Sequence, residues 1–235
     1  MPKSQITETK LVTSRDELAQ LSRRRFIGFA GVASGLIVVA SGCKKETTQS
    51  NSTEDEVNLG SGDPGILNYA YALEQLEAAF YTQVITSQYA GITASETSLL
   101  TDIRDHEIAH REFFKNALAN GAIGNLEFDF SSIDFGSRDS VLGTAKAFED
   151  LGVSAYNGAG RLIETGAYLV LAGKIVSVEA RHAAYIRELI GKGTFADDTA
   201  VNAMGLDGSK KPSEVLEIAK KYIKTTINAS NLPTY

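Results

Sequence analysis

Glu107-Ile108-Ala109-His110 and Glu179-Ala180-Arg181-His182 are the two stretches that decide the fold of this 235-residue chain, which has only three histidines. Each stretch places a glutamate three residues before a histidine. Positions i and i+3 of an α-helix share a face, so each stretch directs a carboxylate and an imidazole toward one point. Two such stretches on facing helices can hold a pair of metal ions when two further helices each add a glutamate.

An internal repeat supplies those two further glutamates. Glu74 precedes Tyr81 by seven residues, and Glu149 precedes Tyr156 by seven residues. Each of these segments is followed along the chain by one of the Glu-x-x-His stretches. The repeat predicts two helix–loop–helix halves related by a two-fold axis, with their ligands at one level of the core. The predicted ligands are Glu74, Glu107, His110, Glu149, Glu179 and His182.

Four other residues near the predicted ligands have more than one possible role. Glu77 lies about 60° from Glu74 on a helical projection, inside the same apolar arc, so it is an alternate to Glu74 as a ligand or a partner of the ligand. We prefer Glu74 because its spacing to a tyrosine recurs at Glu149. His106 faces about 100° away from Glu107 on the same projection, which favours a structural role. Tyr81 and Tyr156 are interpreted as core residues rather than redox groups.

The donor set predicts the metal. Carboxylate oxygens with one imidazole per ion suit iron or manganese better than zinc or copper. The two glutamates that precede histidines are expected to bridge two ions, and the other two to bind one ion each. Four carboxylates offset the charge of two divalent ions, so the loaded site tolerates burial. Without metal the carboxylates repel one another, and we expect raised pKa values.

Residues 1–42 are predicted to be an export signal. Arg23 and Arg24 precede the apolar run 26–40, which is shorter than the roughly 20 residues that span a bilayer comfortably. The arginine pair resembles a twin-arginine signal. Small residues lead from the run to Cys43, which we interpret as the lipidated first residue of the mature chain.

The remainder of the chain is predicted to be a tethered, acidic domain. Residues 43–62 are rich in polar residues and are expected to form a disordered tether. Residues 1–42 hold six Lys/Arg and three Asp/Glu of the chain's 23 and 29, so the rest carries a formal charge of −9. That charge opposes nucleic-acid binding. The predicted location is the periplasm or the cell surface, with the lipid anchor in a membrane.

Residues 63–235 are expected to form one helical domain. Asp63 is the predicted N-cap of the first helix, Thr93 and Glu96 form a capping box, and Ser137 caps the third helix. The predicted helices are 63–88, 93–120, 138–157, 165–190 and a short 213–224, with residues 124–136 as a crossover loop.

Four segments of the chain resemble the ferritin-like domain family that includes desiccation-related proteins. They are residues 73–81, 106–110, 148–156 and 178–185. The resemblance covers about residues 63–224. It implies an all-α, up-down four-helix bundle with one long crossover and a short C-terminal helix, and it carries the metal-ligand role onto the six residues named above. It implies much less about a reaction.

These sequence features support two candidate functions, one catalytic and one non-catalytic. The first is a lipid-anchored protein with two Fe or Mn ions that acts on dioxygen, peroxide or Fe(II) in oxidative or desiccation stress. A closed storage cage fits poorly with a lipidated N-terminus behind a flexible tether. The alternative is a non-catalytic structural or stress-protection protein of the cell envelope, with an unidentified protein partner.

Overall fold

The computed structural model describes residues 56–235. The predicted export signal with Arg23 and Arg24, and the predicted lipidation site at Cys43, lie outside the described residues. Within residues 56–235, no helix combines the length and the apolar character needed to cross a membrane.

The described chain is mostly helical, with four long helices. The elements in chain order are β1 (Glu56–Asn58), α1 (Gly62–Thr86), α2 (Ala94–Leu118), a 3₁₀ turn (Ala119–Gly121), α3 (Arg138–Gly160), α4 (Gly166–Ile190), α5 (Pro212–Ala219) and β2 (Thr226–Asn228). The two short strands pair in parallel, with Val57 opposite Ile227.

The four long helices pair as the sequence predicts. α1 packs along α2, α3 packs along α4, and α1 also contacts α3. The long connection between α2 and α3 crosses the bundle and contributes buried Ile133, with Phe128, Phe130 and Phe135 partly buried against the core. The expected crossover is therefore confirmed. It is fixed to α1 by Gln75, which accepts from the backbone N–H of Leu126 at 2.9 Å.

Two helix starts match the sequence and one does not. Thr93 and Glu96 form the predicted capping box of α2, and Ser137 accepts from the backbone of Ser140 at the start of α3. The prediction for Asp63 is wrong, because Ser61 is the N-cap of α1. The Asp63 carboxylate instead accepts two backbone N–H groups just before α4, from Glu164 at 2.8 Å and Thr165 at 2.9 Å.

The boundaries at both ends of the domain also differ from the prediction. β1 and the fully buried Leu59 lie in the segment assigned to the tether, so the ordered fold begins before Asp63. The last helix ends at Ala219 rather than 224, because the chain then turns into β2. α3 continues through Gly158, where we expected it to have ended; the backbone of Lys210 packs against this glycine and leaves no room for a side chain.

Candidate metal centre

The six predicted ligands meet in the core of the bundle. α1 contributes Glu74, α3 contributes Glu149, and the Glu-x-x-His stretches lie within α2 and α4. All four glutamates have no solvent exposure. The two histidines are nearly as enclosed, with side-chain exposures of 13% for His110 and 5% for His182. The helical spacing that predicted a shared face therefore places all six side chains in one buried cluster.

The cluster divides into two overlapping sets of potential ligands. We call the set Glu74, Glu107, His110 and Glu179 site 1, and the set Glu107, Glu149, Glu179 and His182 site 2. In each set, one ligand atom per residue lies within 4.8 Å of the others. Glu107 and Glu179 belong to both sets, which is the arrangement required of bridging carboxylates.

Each histidine directs Nδ1 at the carboxylates of its own site. His110 Nδ1 lies 2.9 Å from Glu179 Oε1 and 3.4 Å from Glu74 Oε2. His182 Nδ1 lies 2.8 Å from Glu107 Oε1 and 3.4 Å from Glu149 Oε2. Each imidazole therefore makes its shortest contact with the shared glutamate of the opposite half, and the two-fold pattern predicted from the repeat holds at the level of atoms.

The two tyrosines of the repeat hold the terminal glutamates crosswise. Tyr81 on α1 donates its hydroxyl to Glu149 Oε1 on α3 at 2.5 Å. Tyr156 on α3 donates to Glu74 Oε1 on α1. Sequence reasoning assigned both tyrosines to core packing. They are buried, but each also orients one carboxylate so that its second oxygen faces the histidine of its site.

The oxygens and nitrogens that face the centre have no directed hydrogen bonds. Among the described residues, eight such buried atoms belong to the cluster: Glu74 Oε2, both Glu107 oxygens, His110 Nδ1, Glu149 Oε2, both Glu179 oxygens and His182 Nδ1. Their contacts with one another are as short as 2.8 Å, between His182 Nδ1 and Glu107 Oε1, but none has the geometry of a hydrogen bond. Unsatisfied buried polar atoms are costly, and cations among them would satisfy them. The residues therefore fit a pair of metal ions.

Electrostatics of the metal-free cluster favours protonated histidines. Burial lowers the pKa of an imidazole, but the adjoining carboxylates outweigh burial and raise the pKa of His182 to about 12. The pKa of His110 is raised in the same way by Glu107, Glu179 and Glu74. Two imidazolium groups thus take over part of the charge compensation that metal ions would provide.

The predicted rise in carboxylate pKa values is correct for three of the four glutamates. Burial and the charge of Glu179 raise the pKa of Glu74 and of Glu107, and burial raises the pKa of Glu149 to about 7. Glu179 is the exception. Burial alone would raise its pKa, but the close approach of both protonated histidines lowers it to about 2.

His106 contacts the site in a way that the sequence did not indicate. Its Nδ1 lies 3.0 Å from Nε2 of His182, the ring nitrogen that faces away from the carboxylates. The two rings are nearly parallel, with an interplanar angle of 7°. Metal-binding histidines usually donate their second N–H to an acceptor that fixes the ring, and His106 occupies that place. The only sequence signal was its position next to Glu107.

The structure places Glu74 in a ligand set and Glu77 outside both sets. Glu77 is nevertheless buried, with 4% exposure. Its carboxylate lies beside the α-carbon of Gly152 on α3, where a built Cβ would be 3.2 Å from Glu77 Oε1. The sequence leaves Glu77 as an alternate ligand or as a partner of the ligand, and the fold buries both Glu74 and Glu77.

Fold and site together define a helical bundle protein with a buried carboxylate–histidine cluster suited to two metal ions. The model of the ferritin-like domain family matches residues 62–192, which span α1 to α4. The chain belongs to this family of ferritin-like domains. No curated protein sequence matches the chain.

Proposed function

We propose that the protein binds two iron or manganese ions at sites 1 and 2 and uses them to react with a small oxidant in stress protection. The observation that carries the proposal is the convergence of eight unsatisfied buried ligand atoms from four helices. Iron or manganese with open positions supplies redox chemistry toward dioxygen or peroxide. The donor set of four carboxylates and two imidazoles favours these two metals.

The protein's own residues would fix the geometry and keep out water. Glu107 and Glu179 are fully buried and reach both sites. The terminal glutamates are each fixed through one oxygen by a tyrosine. A terminal carboxylate held in this way keeps its free oxygen directed at its own site, and water has little access to displace it.

A small apolar cavity favours dioxygen among the oxidants. It has a volume of about 20 Å³ and is lined by residues that include Leu73, Phe114, Ala155 and Tyr156. Tyr156 lines this cavity and donates its hydroxyl to Glu74, so one side chain separates the cavity from site 1. A space of this size and polarity suits a small apolar molecule better than a hydrated ion.

The proposal is tested by loading the full chain with Fe(II) without oxygen, counting bound iron, and then following dioxygen consumption. We expect two ions per chain and uptake of dioxygen that requires them. The double variant E107Q/E179Q should bind no iron. The matched control E112Q/E164Q removes the same charge from glutamates outside the cluster and should behave like the parent protein. A folded parent protein that binds no Fe(II) would refute the proposal.

We also propose that the protein is exported and held at a membrane by a lipid on Cys43. The support is the order of the arginine pair, the apolar run and the cysteine in the sequence. Metabolic labelling with a radioactive fatty acid should mark the parent chain but not a C43S variant. Labelling of C43S at the parent level would refute this anchor.

The burial of the cluster favours a second candidate function. All four glutamates are inaccessible to solvent, as expected of a site whose ions only stabilise the fold. The protein would then be a non-catalytic component of the cell envelope. The iron-loaded protein distinguishes the two candidates: bound iron that raises the melting temperature but consumes neither dioxygen nor peroxide supports the structural role.

A further inference from the structure

The two halves of the cluster are related by the repeat, but one of the positions at which they differ removes a carboxylate from α3. Aligning Glu74 with Glu149 and Tyr81 with Tyr156 places Glu77 opposite Gly152. α1 therefore carries a second glutamate one turn after its ligand, and α3 carries a glycine. A glycine inside a helix is normally unfavourable compared with alanine, so its presence at this position calls for a packing reason.

The packing reason is Glu77 itself. The point where a Cβ of Gly152 would stand is 3.2 Å from Glu77 Oε1 and 3.6 Å from Glu179 Oε2. The missing side chain on α3 thus leaves the space that the Glu77 carboxylate uses. The Cβ position of Gly152 is therefore close both to Glu77 and to Oε2 of Glu179, which belongs to both ligand sets. Glu77 thus reaches the edge of the cluster from across the two-fold axis.

Glu77 lies on the side of site 2. The Glu179 oxygen near it, Oε2, is the one that faces His182 at 3.8 Å, whereas Oε1 faces His110 at 2.9 Å. Tyr81, one turn further along α1, crosses in the same direction and binds Glu149, the terminal glutamate of site 2. Site 1 has no equivalent fourth carboxylate among the described residues, since the corresponding position is Gly152.

Burial disfavours the charged form of Glu77. Its side chain is almost fully enclosed, and burial together with the charges of Glu179, Glu107, Glu149 and Glu74 raises its pKa. The Glu77 carboxylate is therefore charged only where a cation compensates it, and it otherwise holds a proton.

We propose that Glu77 is a seventh metal-binding side chain, which binds the divalent ion in site 2 through the space left by Gly152. The two ions would then differ in their ligands. This inference rests on the proposed dinuclear site. Glu77 would bind metal in addition to Glu74 and would not replace it. An additional negative oxygen donor strengthens binding of a hard cation, so site 2 should fill before site 1.

Cobalt(II) titration of the metal-free full chain tests the assignment, because visible absorption of bound cobalt reports the ligands of each ion. The parent chain should bind two ions in two steps, the first at least 10-fold tighter than the second. E77Q should weaken the first step by at least 10-fold, leave the second unchanged, and alter the spectrum of the first ion. E112Q, a control on the exposed part of α2, should match the parent chain.

Three further variants test the role of Glu77 if E77Q folds poorly. G152A keeps the carboxylate but puts a methyl group against it, so it should weaken the same step and preserve the helix. H182A should remove the tighter step, and H110A the weaker one. Unchanged stepwise affinities and spectra in both E77Q and G152A would refute the role of Glu77 while leaving the dinuclear site intact. A parent chain that binds fewer than two ions would refute the dinuclear site, and this inference with it.

Discussion

The hydroxyl of Tyr81 donates to Oε1 of Glu149 at 2.5 Å, from α1 to α3 across the middle of the bundle. The equivalent bond from Tyr156 to Glu74 runs in the opposite direction. Each half of the bundle therefore positions the terminal ligand of the other half. Both bonds leave the second carboxylate oxygen directed at the centre, 3.4 Å from Nδ1 of the histidine of its site.

Replacing Tyr81 with phenylalanine should weaken metal binding at site 2, and replacing Tyr156 should weaken it at site 1. Loss of a partner that orients a ligand typically costs about 10–100-fold in metal affinity, and leaving a buried carboxylate oxygen unpaired costs about 1–3 kcal/mol of unfolding free energy. Stepwise cobalt titration and urea denaturation measure the two effects. Y69F is the control, since the buried Tyr69 hydroxyl has no hydrogen-bond partner within residues 56–235. Equal effects in all three variants would contradict the prediction.

His106 should control the metal affinity of site 2 through His182. When Nδ1 of His182 binds an ion, its Nε2–H donates to Nδ1 of His106, 3.0 Å away. We expect H106A to lower the affinity of site 2 by about 10–100-fold and H106N, whose side-chain oxygen can accept the same proton, to recover most of it. Calorimetric titration with Mn(II) measures both. Equal affinities of H106A and the parent chain would show that the stacked rings only pack together.

Bridging and terminal glutamates should differ in how many ions their loss removes. E74Q should lose the ion of site 1 and E149Q the ion of site 2, because each residue belongs to one ligand set. E107Q and E179Q should each lose both ions, since these residues belong to both sets. Elemental analysis of the purified variants gives the counts. Retention of one full ion in E179Q would contradict the bridging assignment.

Metal affinity should increase with pH. The carboxylates raise the pKa of His182 to about 12 and also raise that of His110, so both imidazoles hold a proton at pH 7 that an ion must displace. Glu149, with a pKa of about 7, adds a further competing proton below neutral pH. Since protons compete with the metal, raising the pH favours binding.

Calorimetry in buffers of different ionisation enthalpy measures this competition. We expect the release of at least two protons when two Mn(II) ions bind at pH 7, and tighter binding at pH 8 than at pH 6. H182A removes one imidazole and should release at least one proton fewer. Binding without proton release would mean that the histidines are already neutral in the metal-free protein.

The sequence predicted the bundle and the six side chains that cluster in its core because both depend on local periodicity. The Glu-x-x-His spacing fixes two ligands on one helical face, and the recurrence of the Glu74–Tyr81 spacing at Glu149 and Tyr156 identified the other two helices. What the sequence did not provide were relations between helices. The crosswise tyrosine bonds, the pairing of His106 with His182 and the fit of Glu77 against Gly152 depend on how the helices are placed against each other, which periodicity along one helix does not encode.

Helix ends were predicted less well for a related reason. Asp63 has the side chain of an N-cap, but it accepts from backbone groups before α4 because the packed bundle brings that turn beside it. Gly158 has the character of a helix terminator, yet α3 continues through it because a distant segment packs there. In both cases a tertiary contact replaced the local role.

Gly158 should be the least replaceable glycine of α3. A Cβ at this position would lie 1.7 Å from the carbonyl oxygen of Lys210, and Lys210 is itself held by its N–H, which donates to the carbonyl of Ser154 at 2.9 Å. Neither side of the contact is a flexible side chain, so G158A must separate the segment around Lys210 from the helix. We expect a loss of about 2–4 kcal/mol in unfolding free energy, in the range of severe packing defects.

Gly143 provides the matched control for this prediction. It lies on the same helix with nothing within 4 Å of its built Cβ, so G143A should stabilise the protein by about 0.5–1 kcal/mol through helix propensity alone. Urea denaturation of both variants, metal-free and metal-loaded, measures the difference. Equal stability changes in G158A and G143A would show that the chain near Lys210 moves away from α3 at little cost, and that this contact does not help to hold the helix that carries Glu149.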